Sequence, residues 1–248
     1  MNPGDLVCVT GASGFIASEL VANLLARGLR VNGTVRALAK ASHLAALPGA
    51  AERLTLFEAD LLGDGAAFDP AIAGARVVFH TACPFVVTAR AAELGESFFV
   101  QPAVKGTEAV LAACARAGGG ALRRVVLTSS CAAIFKKNVP PEHVYDEGTW
   151  NDPEELATRK MWYSIGKTLQ ERAAWAFMDA QKPSWDLVAI NPCMVAGPAR
   201  QPALNASLEN VLDLLNGAKE KVPNFKCVFL RARTPFAGRV PPHPFPPF

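Results

Sequence analysis

Two residues late in the chain, Tyr163 and Lys167, have the spacing of an acid–base pair on one face of a helix. Residues four apart on an α-helix are neighbours, about 6 Å from each other along the axis. A tyrosine phenol has a pKa of about 10 in water, and lowering it by two to three units takes roughly 3 to 4 kcal/mol. An ammonium about 4 Å away contributes on that order. The pair therefore predicts that Lys167 lowers the pKa of the Tyr163 phenol. The phenol then donates a proton to a carbonyl oxygen as hydride reaches the carbonyl carbon.

The same chemistry needs a hydroxyl that binds the carbonyl oxygen. Thr128, Ser129 and Ser130 follow an apolar, β-prone run, and each of them offers one. Each could equally be a cap at the end of a strand. The residues alone leave the choice among the three open.

A glycine turn near the start of the chain predicts phosphate binding. Residues 9 to 17 read Val-Thr-Gly-Ala-Ser-Gly-Phe-Ile-Ala, between the apolar run Leu6 to Thr10 and apolar residues at helical spacing from Phe15 to Ala26. Backbone N–H groups at such a turn can approach a pyrophosphate at the positive end of a helix dipole. The third glycine of the dinucleotide fingerprint is absent, and Ala17 is a small residue that lets the helix pack on the sheet. The cofactor-binding residues predicted here are Gly11, Ser13, Gly14, Phe15 and Ile16.

The residue that ends the second strand predicts which nicotinamide cofactor is bound. An NAD site usually places an acid there for the ribose 2′-hydroxyl, whereas an NADP site uses Arg for the 2′-phosphate. This chain has Arg36 at that position, Lys40 lies within reach, and the next acid after Arg36 is Glu52. NADP is therefore expected. Ligands of parallel sheets bind at the carboxyl ends of strands, which adds Asp60, Leu61, Thr81, Ala82 and Cys83 to the predicted cofactor site.

Short apolar runs alternate with helix-length segments along the chain. Strands are predicted at Leu6 to Thr10, Val31 to Val35, Leu54 to Ala59, Val77 to His80, Val125 to Thr128 and Leu187 to Ile190. Further helices are predicted at about residues 98 to 117, 155 to 180 and 206 to 216. This alternation predicts an α/β fold with a Rossmann-type, doubly wound parallel sheet. No internal repeat or interdomain linker is found.

Composition narrows the function classes. With 248 residues, 50% hydrophobic and 19% charged, the chain can bury one α/β core. A net charge of +3 with scattered Lys and Arg does not indicate a nucleic-acid partner. No run of about 18 apolar residues occurs and the first strand begins near Met1, so we expect a cytoplasmic protein without membrane spans. The six cysteines lack metal-ligand spacing, so we expect small buried hydrophobes and no metal.

Seven motifs in order along the chain resemble one plant reductase family. They are the glycine turn at 9–17, Gly33-Thr-Val-Arg36, Val78-Phe-His-Thr-Ala-Cys-Pro84, Arg124-Val-Val-Leu-Thr-Ser-Ser130, Tyr145-Asp-Glu147 with Trp150, Trp162-Tyr-Ser-Ile-Gly-Lys167, and Asn191-Pro-Cys-Met-Val-Ala-Gly-Pro198. The chain is similar to the extended short-chain reductases that include cinnamoyl-CoA reductase and dihydroflavonol 4-reductase, over residues 5 to 225. The resemblance implies NADPH and a small aromatic carbonyl substrate. It implies that Ser130 binds the carbonyl oxygen, that Tyr163 donates the proton and that Lys167 tunes Tyr163 and binds the ribose. It places Pro192, Met194, Val195 and Ser207 at the nicotinamide end.

Two departures from the family pattern bear on the substrate. Cinnamoyl-CoA reductases typically read Asn-Trp-Tyr-Cys-Tyr-Gly-Lys around the catalytic pair, whereas this chain reads Met-Trp-Tyr-Ser-Ile-Gly-Lys from Met161. Their His-x-x-Lys pair is replaced by Asn210 and Asp213. An aldehyde or ketone is therefore favoured over a CoA thioester. The sequence leaves the oligomeric state, monomer or dimer, open.

The end of the chain departs from the family altogether. Residues 226 to 248 contain six Pro, no acid and no usable periodicity. We expect residues 1 to 225 to form the NADP-binding Rossmann domain with a truncated C-terminal substrate lobe, and 226 to 248 to be a disordered or frame-shifted tail that leaves the chain unstable or inactive. Two alternatives stay open: a non-catalytic NADP-binding remnant, and an NAD-dependent nucleotide-sugar epimerase or dehydratase, against which Arg36 speaks.

Overall fold

A computed structural model describes residues 1–85, 91–136, 139–140, 142–202, 204–218 and 230–231. Six parallel strands form one sheet in the order β3-β2-β1-β4-β5-β6. The strands are β1 Leu6–Thr10, β2 Arg30–Val35, β3 Leu54–Glu58, β4 Val77–His80, β5 Arg124–Thr128 and β6 Asp186–Ile190. The predicted doubly wound Rossmann-type sheet and all six predicted strands are confirmed, with bounds within one residue. The order reverses between β1 and β4, which is where such sheets bind their ligands.

Both faces of the sheet are covered at the central strands β1 and β4, which are mostly apolar. The edge strand β6 leaves Val188 and Ile190 exposed. Val7 and Val9 of β1 lie in one core cluster, whereas Cys8 between them lies in another. Successive side chains of a strand point to opposite faces, so the two clusters occupy the two sides of the sheet. Helix residues such as Leu25 close the first cluster and residues such as Leu111 close the second.

Eight helices are assigned within the described residues. They are α1 Phe15–Ala26, α2 Ser42–Ala45, α3 Ala50–Arg53, α4 Asp69–Ile72, α5 Ala91–Ala117, α6 Pro153–Thr158, α7 Trp162–Gln181 and α8 Ala206–Leu215, with short 3₁₀ turns at Leu38–Lys40, Gly65–Phe68 and Cys131–Ala133. The bounds of α1 and α8 agree with the sequence prediction within one residue. Helix α5 starts before the predicted residue 98 and is interrupted at Gly95, where φ is 72°.

The single helix predicted for residues 155 to 180 was wrong, because α6 and α7 are separate. Lys160 adopts a left-handed conformation with φ of 52°. Its N–H donates to the Ala157 carbonyl at 3.0 Å, and Met161 N–H donates to the Leu156 carbonyl at 3.1 Å. This pair of bonds is the Schellman arrangement that ends a helix. A glycine usually marks it in a sequence, and Lys160 gives no such mark.

A second, two-stranded parallel sheet joins β7 Val195–Ala196 to β8 Leu230–Arg231. The sequence analysis predicted neither strand. Apart from residues 230–231, the segment 226–248 lies outside the described residues, so the expectation of a disordered tail stays a prediction. The helices of the described part of the chain include none that is long and apolar enough to cross a membrane.

Candidate active site

The glycine turn between β1 and α1 has a geometry that requires glycine. Gly11 has φ of 64°, and a Cβ there would lie 2.9 Å from the Cα of Ala82 at the end of β4. Gly14 caps α1, and its N–H donates to the Gly11 carbonyl at 2.9 Å. The turn therefore keeps backbone close to the open end of β4, at the N-terminus of a 12-residue helix, which is the environment that stabilises a phosphate.

Gly33 on β2 also supports the turn. A Cβ at Gly33 would lie 2.8 Å from the Cβ of Ala12, which is fully buried. Ala12 N–H donates to the Thr34 carbonyl at 2.9 Å, so the turn is hydrogen-bonded to β2. Sequence reasoning placed Gly33 only within a family motif. Its contact with Ala12 shows why a side chain is not tolerated in the middle of this strand.

A cavity of about 820 Å³ runs along the carboxyl ends of the strands. It brings together nearly all the residues predicted for cofactor and chemistry. Those that line it are Gly11, Ser13, Gly14, Phe15, Ile16, Arg36, Asp60, Leu61, Thr81, Ala82, Cys83, Ser130, Tyr163, Lys167, Pro192, Val195 and Ser207. The predicted residues Lys40 and Met194 are not among the lining residues. Lys40 ends an exposed 3₁₀ turn beyond Arg36.

Arg36 lies at the mouth of this cavity, directly after β2. Its side chain is exposed, and it takes part in none of the ion pairs that the described residues form. The neighbouring acid Glu58 instead accepts a hydrogen bond from Leu38 N–H at 2.9 Å. The guanidinium is thus available to an anion in the cavity.

Ser130, Tyr163 and Lys167 meet at the other end of the cavity. Ser130 follows β5, and its side-chain oxygen accepts a hydrogen bond from Ala132 N–H at 3.1 Å. Tyr163 lies in the first turn of α7, where a hydrogen bond with Ser130 acts to lower the pKa of the phenol. Lys167 follows one turn later and is only 3% exposed.

Structure distinguishes among the three hydroxyls that the sequence left open. Ser129 donates its hydroxyl to a carboxylate oxygen of Glu171. The backbone carbonyl of Thr128 accepts a hydrogen bond from Lys167 Nζ at 2.9 Å. Ser130 is the one whose side chain acts on the Tyr163 phenol, where it lowers the pKa. This arrangement favours Ser130 as the hydroxyl that meets a carbonyl oxygen beside the phenol.

The Tyr163 phenol does not have the lowered pKa that the sequence analysis predicted. Burial of the phenol raises its pKa well above the ordinary value, Cys83 adds to the rise, and the bond from Ser130 only partly opposes it. The ammonium of Lys167 is held by the Thr128 carbonyl and by Gln170 Oε1, each at 2.9 Å. The phenol is therefore fully protonated at neutral pH, in the form that can donate a proton.

Aromatic rings surround Tyr163, and sequence reasoning did not single them out. Phe85 and Tyr163 pack edge to face with ring centroids 5.0 Å apart, and Phe99 lies 6.4 Å from the same ring. Phe85 is 41% exposed and lines the cavity. These rings explain the desolvation of the phenol. Phe85 also forms an apolar wall of the cavity beside Tyr163, whereas Phe99 is buried and does not line the cavity.

Three of the cysteines depart from the prediction of buried hydrophobes. Cys8 and Cys114 are buried as expected, but Cys83, Cys131 and Cys193 are half-buried, and Cys83 and Cys193 line the cavity. These five cysteines form no disulfide within the described residues, and Cys227 lies outside them. The part of the chain that the structure describes holds no cluster of metal-ligating side chains.

The strand order, the glycine turn and the cavity at the switch point together define a Rossmann-type dinucleotide-binding protein with a Ser-Tyr-Lys constellation. Comparison with known proteins supports this class of protein. Residues 7–228 match the model of the NAD dependent epimerase/dehydratase family. The chain belongs to this family.

The most similar relatives are reductases, which confirms the resemblance seen in the motifs. Cinnamoyl-CoA reductase CAD2 of Medicago truncatula is 48% identical over 225 residues, covering 88% of this chain and 66% of the relative. The crystal structure of vestitone reductase from alfalfa has a TM-score of 0.76 at 33% identity, covering 92% of this chain and 69% of the other. Yeast methylglyoxal/isovaleraldehyde reductase Gre2, solved with NADPH, has a TM-score of 0.76 at 28% identity, covering 92% and 70%. The chain spans slightly less than two thirds of its first curated relatives.

Proposed function

We propose that this protein is an NADPH-dependent reductase that transfers hydride to the carbonyl carbon of a small aldehyde or ketone. The observation that carries the proposal is that one cavity joins the Gly11 turn and Arg36 at one end to Ser130, Tyr163 and Lys167 at the other. The relatives named above are reductases, and one of them was solved with NADPH.

The residues present fit NADPH. A Cβ at Gly11 would collide with Ala82, and its absence lets the turn lie at the N-terminus of α1, where backbone N–H groups would bind a pyrophosphate. Arg36 is free of ion pairs among the described residues and would hold the 2′-phosphate, since a guanidinium suits a phosphate. Asp60 and Leu61 would lie beside the adenine, and Thr81, Ala82 and Cys83 beside the ribose and nicotinamide. The family name mentions NAD, but an acid at position 36 would be needed to favour it.

The chemistry divides among three side chains. NADPH, when bound, supplies the hydride. Ser130 would bind the carbonyl oxygen of the substrate, and the Tyr163 phenol beside it would donate the proton that the oxygen takes up. Lys167 would stabilise the phenolate that remains, because a nearby cation favours the charged form of an acid. The phenol carries its proton at neutral pH, as a proton donor must.

The apolar wall indicates the substrate class. Phe85 lines the cavity and packs edge to face with Tyr163, and an exposed ring of this kind packs well against another aromatic ring. We therefore infer that the substrate is a phenylpropanoid-like or flavonoid-like carbonyl compound. Asn210 and Asp213 stand where cinnamoyl-CoA reductases carry the His-x-x-Lys pair, which favours an aldehyde or ketone over a CoA thioester.

Turnover of NADPH with cinnamaldehyde tests the proposal, and the two tyrosines of the chain provide variant and control. Tyr163→Phe keeps the ring contacts with Phe85 and removes the proton donor, so kcat should fall by about 10²–10⁴-fold while NADPH still binds. Tyr145→Phe removes a hydroxyl that only reaches the Lys136 carbonyl at 3.4 Å, and it should leave kcat unchanged.

The outcomes separate the competing functions. NADPH binding without any consumption across a panel of aldehydes and ketones would indicate a non-catalytic binding protein. Preference for NAD, retained through purification, would indicate an epimerase or dehydratase. Equal activity in Tyr163→Phe and wild type would show that Tyr163 is not the proton donor.

A further inference from the structure

A continuous chain of buried hydrogen bonds starts at Lys167 and leads away from Tyr163. Lys167 Nζ donates to Gln170 Oε1 at 2.9 Å, and Gln170 Nε2 donates to Thr107 Oγ1 at 2.8 Å. Thr107 Oγ1 lies 2.9 Å from His80 Nε2, and His80 Nδ1 lies 2.8 Å from Thr10 Oγ1. All five side chains are at most 3% exposed. The chain thus links the end of α7 nearest the cavity to β4 and β1 through the core.

The far end of the chain reaches the turn that would hold the cofactor. Thr10 Oγ1 accepts hydrogen bonds from the N–H groups of Thr81 and Ala82, each at 3.2 Å. Thr10 directly precedes Gly11, and Ala82 is the residue against which Gly11 packs. The five side chains therefore connect Lys167 to both backbone segments that meet at the switch point of the sheet.

Counting donors assigns the direction of these bonds. A hydroxyl oxygen has two lone pairs and one hydrogen. The two lone pairs of Thr10 are taken by Thr81 and Ala82 N–H, so its hydrogen must be donated to His80 Nδ1. His80 is then the Nε2–H tautomer, which donates to Thr107 Oγ1 alongside Gln170. A neutral imidazole is required, and burial together with the charge of Lys167 lowers the pKa of His80 to about 3.

The hydrogen-bonded chain from Lys167 to Thr10 restricts the orientation of the Lys167 ammonium. An ammonium has three N–H donors, and two of them are used by the Thr128 carbonyl and Gln170 Oε1. With two donors fixed, rotation about the bond to Nζ is stopped and the third N–H has one direction. Lys167 lines the cavity, so that donor is the one available to a ligand there.

We propose that Gln170, Thr107, His80 and Thr10 are positioning residues that fix the third N–H of Lys167 relative to the Gly11 turn. This inference rests on the proposed reductase function, because it assigns the fixed N–H to a ligand bound in the same cavity. Fully satisfied buried polar networks of this kind specify one arrangement of the groups they connect. Gln170 and Thr107 are 63 positions apart in the sequence, and His80 and Thr10 are 70 apart. The arrangement of these side chains therefore depends on the complete fold.

Thr107 is the place to test the proposal, because two variants separate its hydroxyl from its methyl group. Thr107→Val keeps the shape and removes the hydroxyl, which leaves Gln170 and His80 without their common acceptor. Thr107→Ser keeps the hydroxyl and removes the methyl. The matched control is Thr168→Val, which removes another fully buried hydroxyl of the same region, one that bonds only to the Ala133 and Ser164 carbonyls.

We expect Thr107→Val to lower kcat/KM for cinnamaldehyde by about fivefold to tenfold, the effect of one lost hydrogen bond on a transition state. Thr107→Ser and Thr168→Val should stay within about twofold of wild type. A role in stability alone lowers the free energy of unfolding of Thr107→Val and leaves kcat/KM of the folded protein unchanged. A role in packing alone gives the opposite order, with the serine variant lower than the valine variant because it creates a cavity. That order, or equal effects of Thr107→Val and Thr168→Val, overturns the proposal.

NADPH binding provides a second readout that separates this inference from the reductase function. If wild type binds NADPH but reduces no carbonyl compound, the reductase proposal fails. The two Thr107 variants are then compared by their dissociation constants for NADPH, measured by fluorescence titration. Thr107→Val weaker than Thr107→Ser supports positioning, and equal constants overturn it. A wild-type chain that binds no NADPH overturns both proposals.

Discussion

At the scale of single residues, two demands meet at Gly11: a left-handed backbone and close contact with another strand. Its φ of 64° is unfavourable for a side chain. The nearest atom to a Cβ built there is a backbone Cα of Ala82 at 2.9 Å, which no side-chain rotation can move aside. The backbone geometry therefore requires glycine at position 11, independently of any ligand.

Gly119 allows the two demands at Gly11 to be separated. It also has a positive φ, 51°, but a Cβ there would meet nothing within 4 Å. Gly119→Ala should cost about 1 kcal/mol in free energy of unfolding, from backbone strain alone. Gly11→Ala should cost about 1 to 3 kcal/mol more because of the contact with Ala82, and should weaken NADPH binding. Urea denaturation and fluorescence titration measure the two quantities, and equal stabilities of the variants would contradict the argument.

Arg36 and Lys40 were both predicted to hold the 2′-phosphate, but only Arg36 lines the cavity. Arg36→Ala should therefore raise the dissociation constant for NADPH by about tenfold to a hundredfold, as expected for a lost charged hydrogen bond. Binding of NADH, which lacks the phosphate, should change little. Lys40→Ala is the control and should have a small, salt-sensitive effect on NADPH. A larger loss in Lys40→Ala than in Arg36→Ala would restore Lys40 to the site.

At the scale of secondary structure, α7 holds the open ends of β5 and β6 together. Glu171 on α7 is 6% exposed and accepts hydrogen bonds from Ser129 after β5 and from Asn191 Nδ2 after β6, the latter at 2.8 Å. Asn191 also donates to the Ser130 carbonyl at 3.1 Å. One buried carboxylate therefore fixes the strand end that carries Ser130 relative to the helix that carries Tyr163.

Removal of that carboxylate should be costly. Glu171→Ala leaves the Ser129 hydroxyl and the Asn191 amide without their acceptor, and we expect a loss of about 2 to 4 kcal/mol in the free energy of unfolding. Glu171→Gln keeps one acceptor oxygen and should lose less. Glu155→Ala, which breaks an exposed i,i+4 pair with Arg159, should cost at most about 0.5 kcal/mol. Similar losses for the buried and the exposed glutamate would show that the network does not stabilise the fold.

The elements differ in how well the sequence predicts them. All six strands of the main sheet could be predicted because each is a short run rich in apolar and β-branched residues between helix-length segments. The break between α6 and α7 could not, because its left-handed residue is Lys160 and the signal for such an end is normally glycine. The two-residue strands β7 and β8 are too short to carry any periodicity.

At the scale of the whole molecule, the two core clusters position the cavity by fixing the strand ends. Composition and motifs predicted which residues line the cavity, because the rule for parallel sheets assigns strand ends to the ligand. They could not predict the partners of Lys167, since Gln170, Thr107 and His80 come from three elements and their hydrogen bonds exist only in the packed core. For the same reason, the burial that raises the pKa of Tyr163 was not foreseen.

The buried histidine makes the stability of the whole molecule depend on pH. Burial, reinforced by the positive charge of Lys167, lowers the pKa of His80 to about 3, whereas an unfolded chain would titrate near 6.5. Between these values the unfolded state binds a proton at this residue that the folded state does not. Stability from this group is therefore complete above pH 6.5 and is lost as the pH falls, by up to about 1.4 kcal/mol per pH unit.

Urea denaturation at a series of pH values should show this decline beginning near pH 6.5, above the range in which Asp146 and Asp186, whose pKa values are lowered, contribute in the same direction. Burial lowers the pKa of His43 as well, so the slope that persists in His43→Gln measures the part due to His80. In NMR spectra of the folded protein, the His80 ring resonances should not titrate between pH 8 and pH 4.5, and the ring should carry its proton on Nε2. A midpoint near 6.5 would mean that the imidazole is reached by water and that the hydrogen-bonded chain from Lys167 to Thr10 is open.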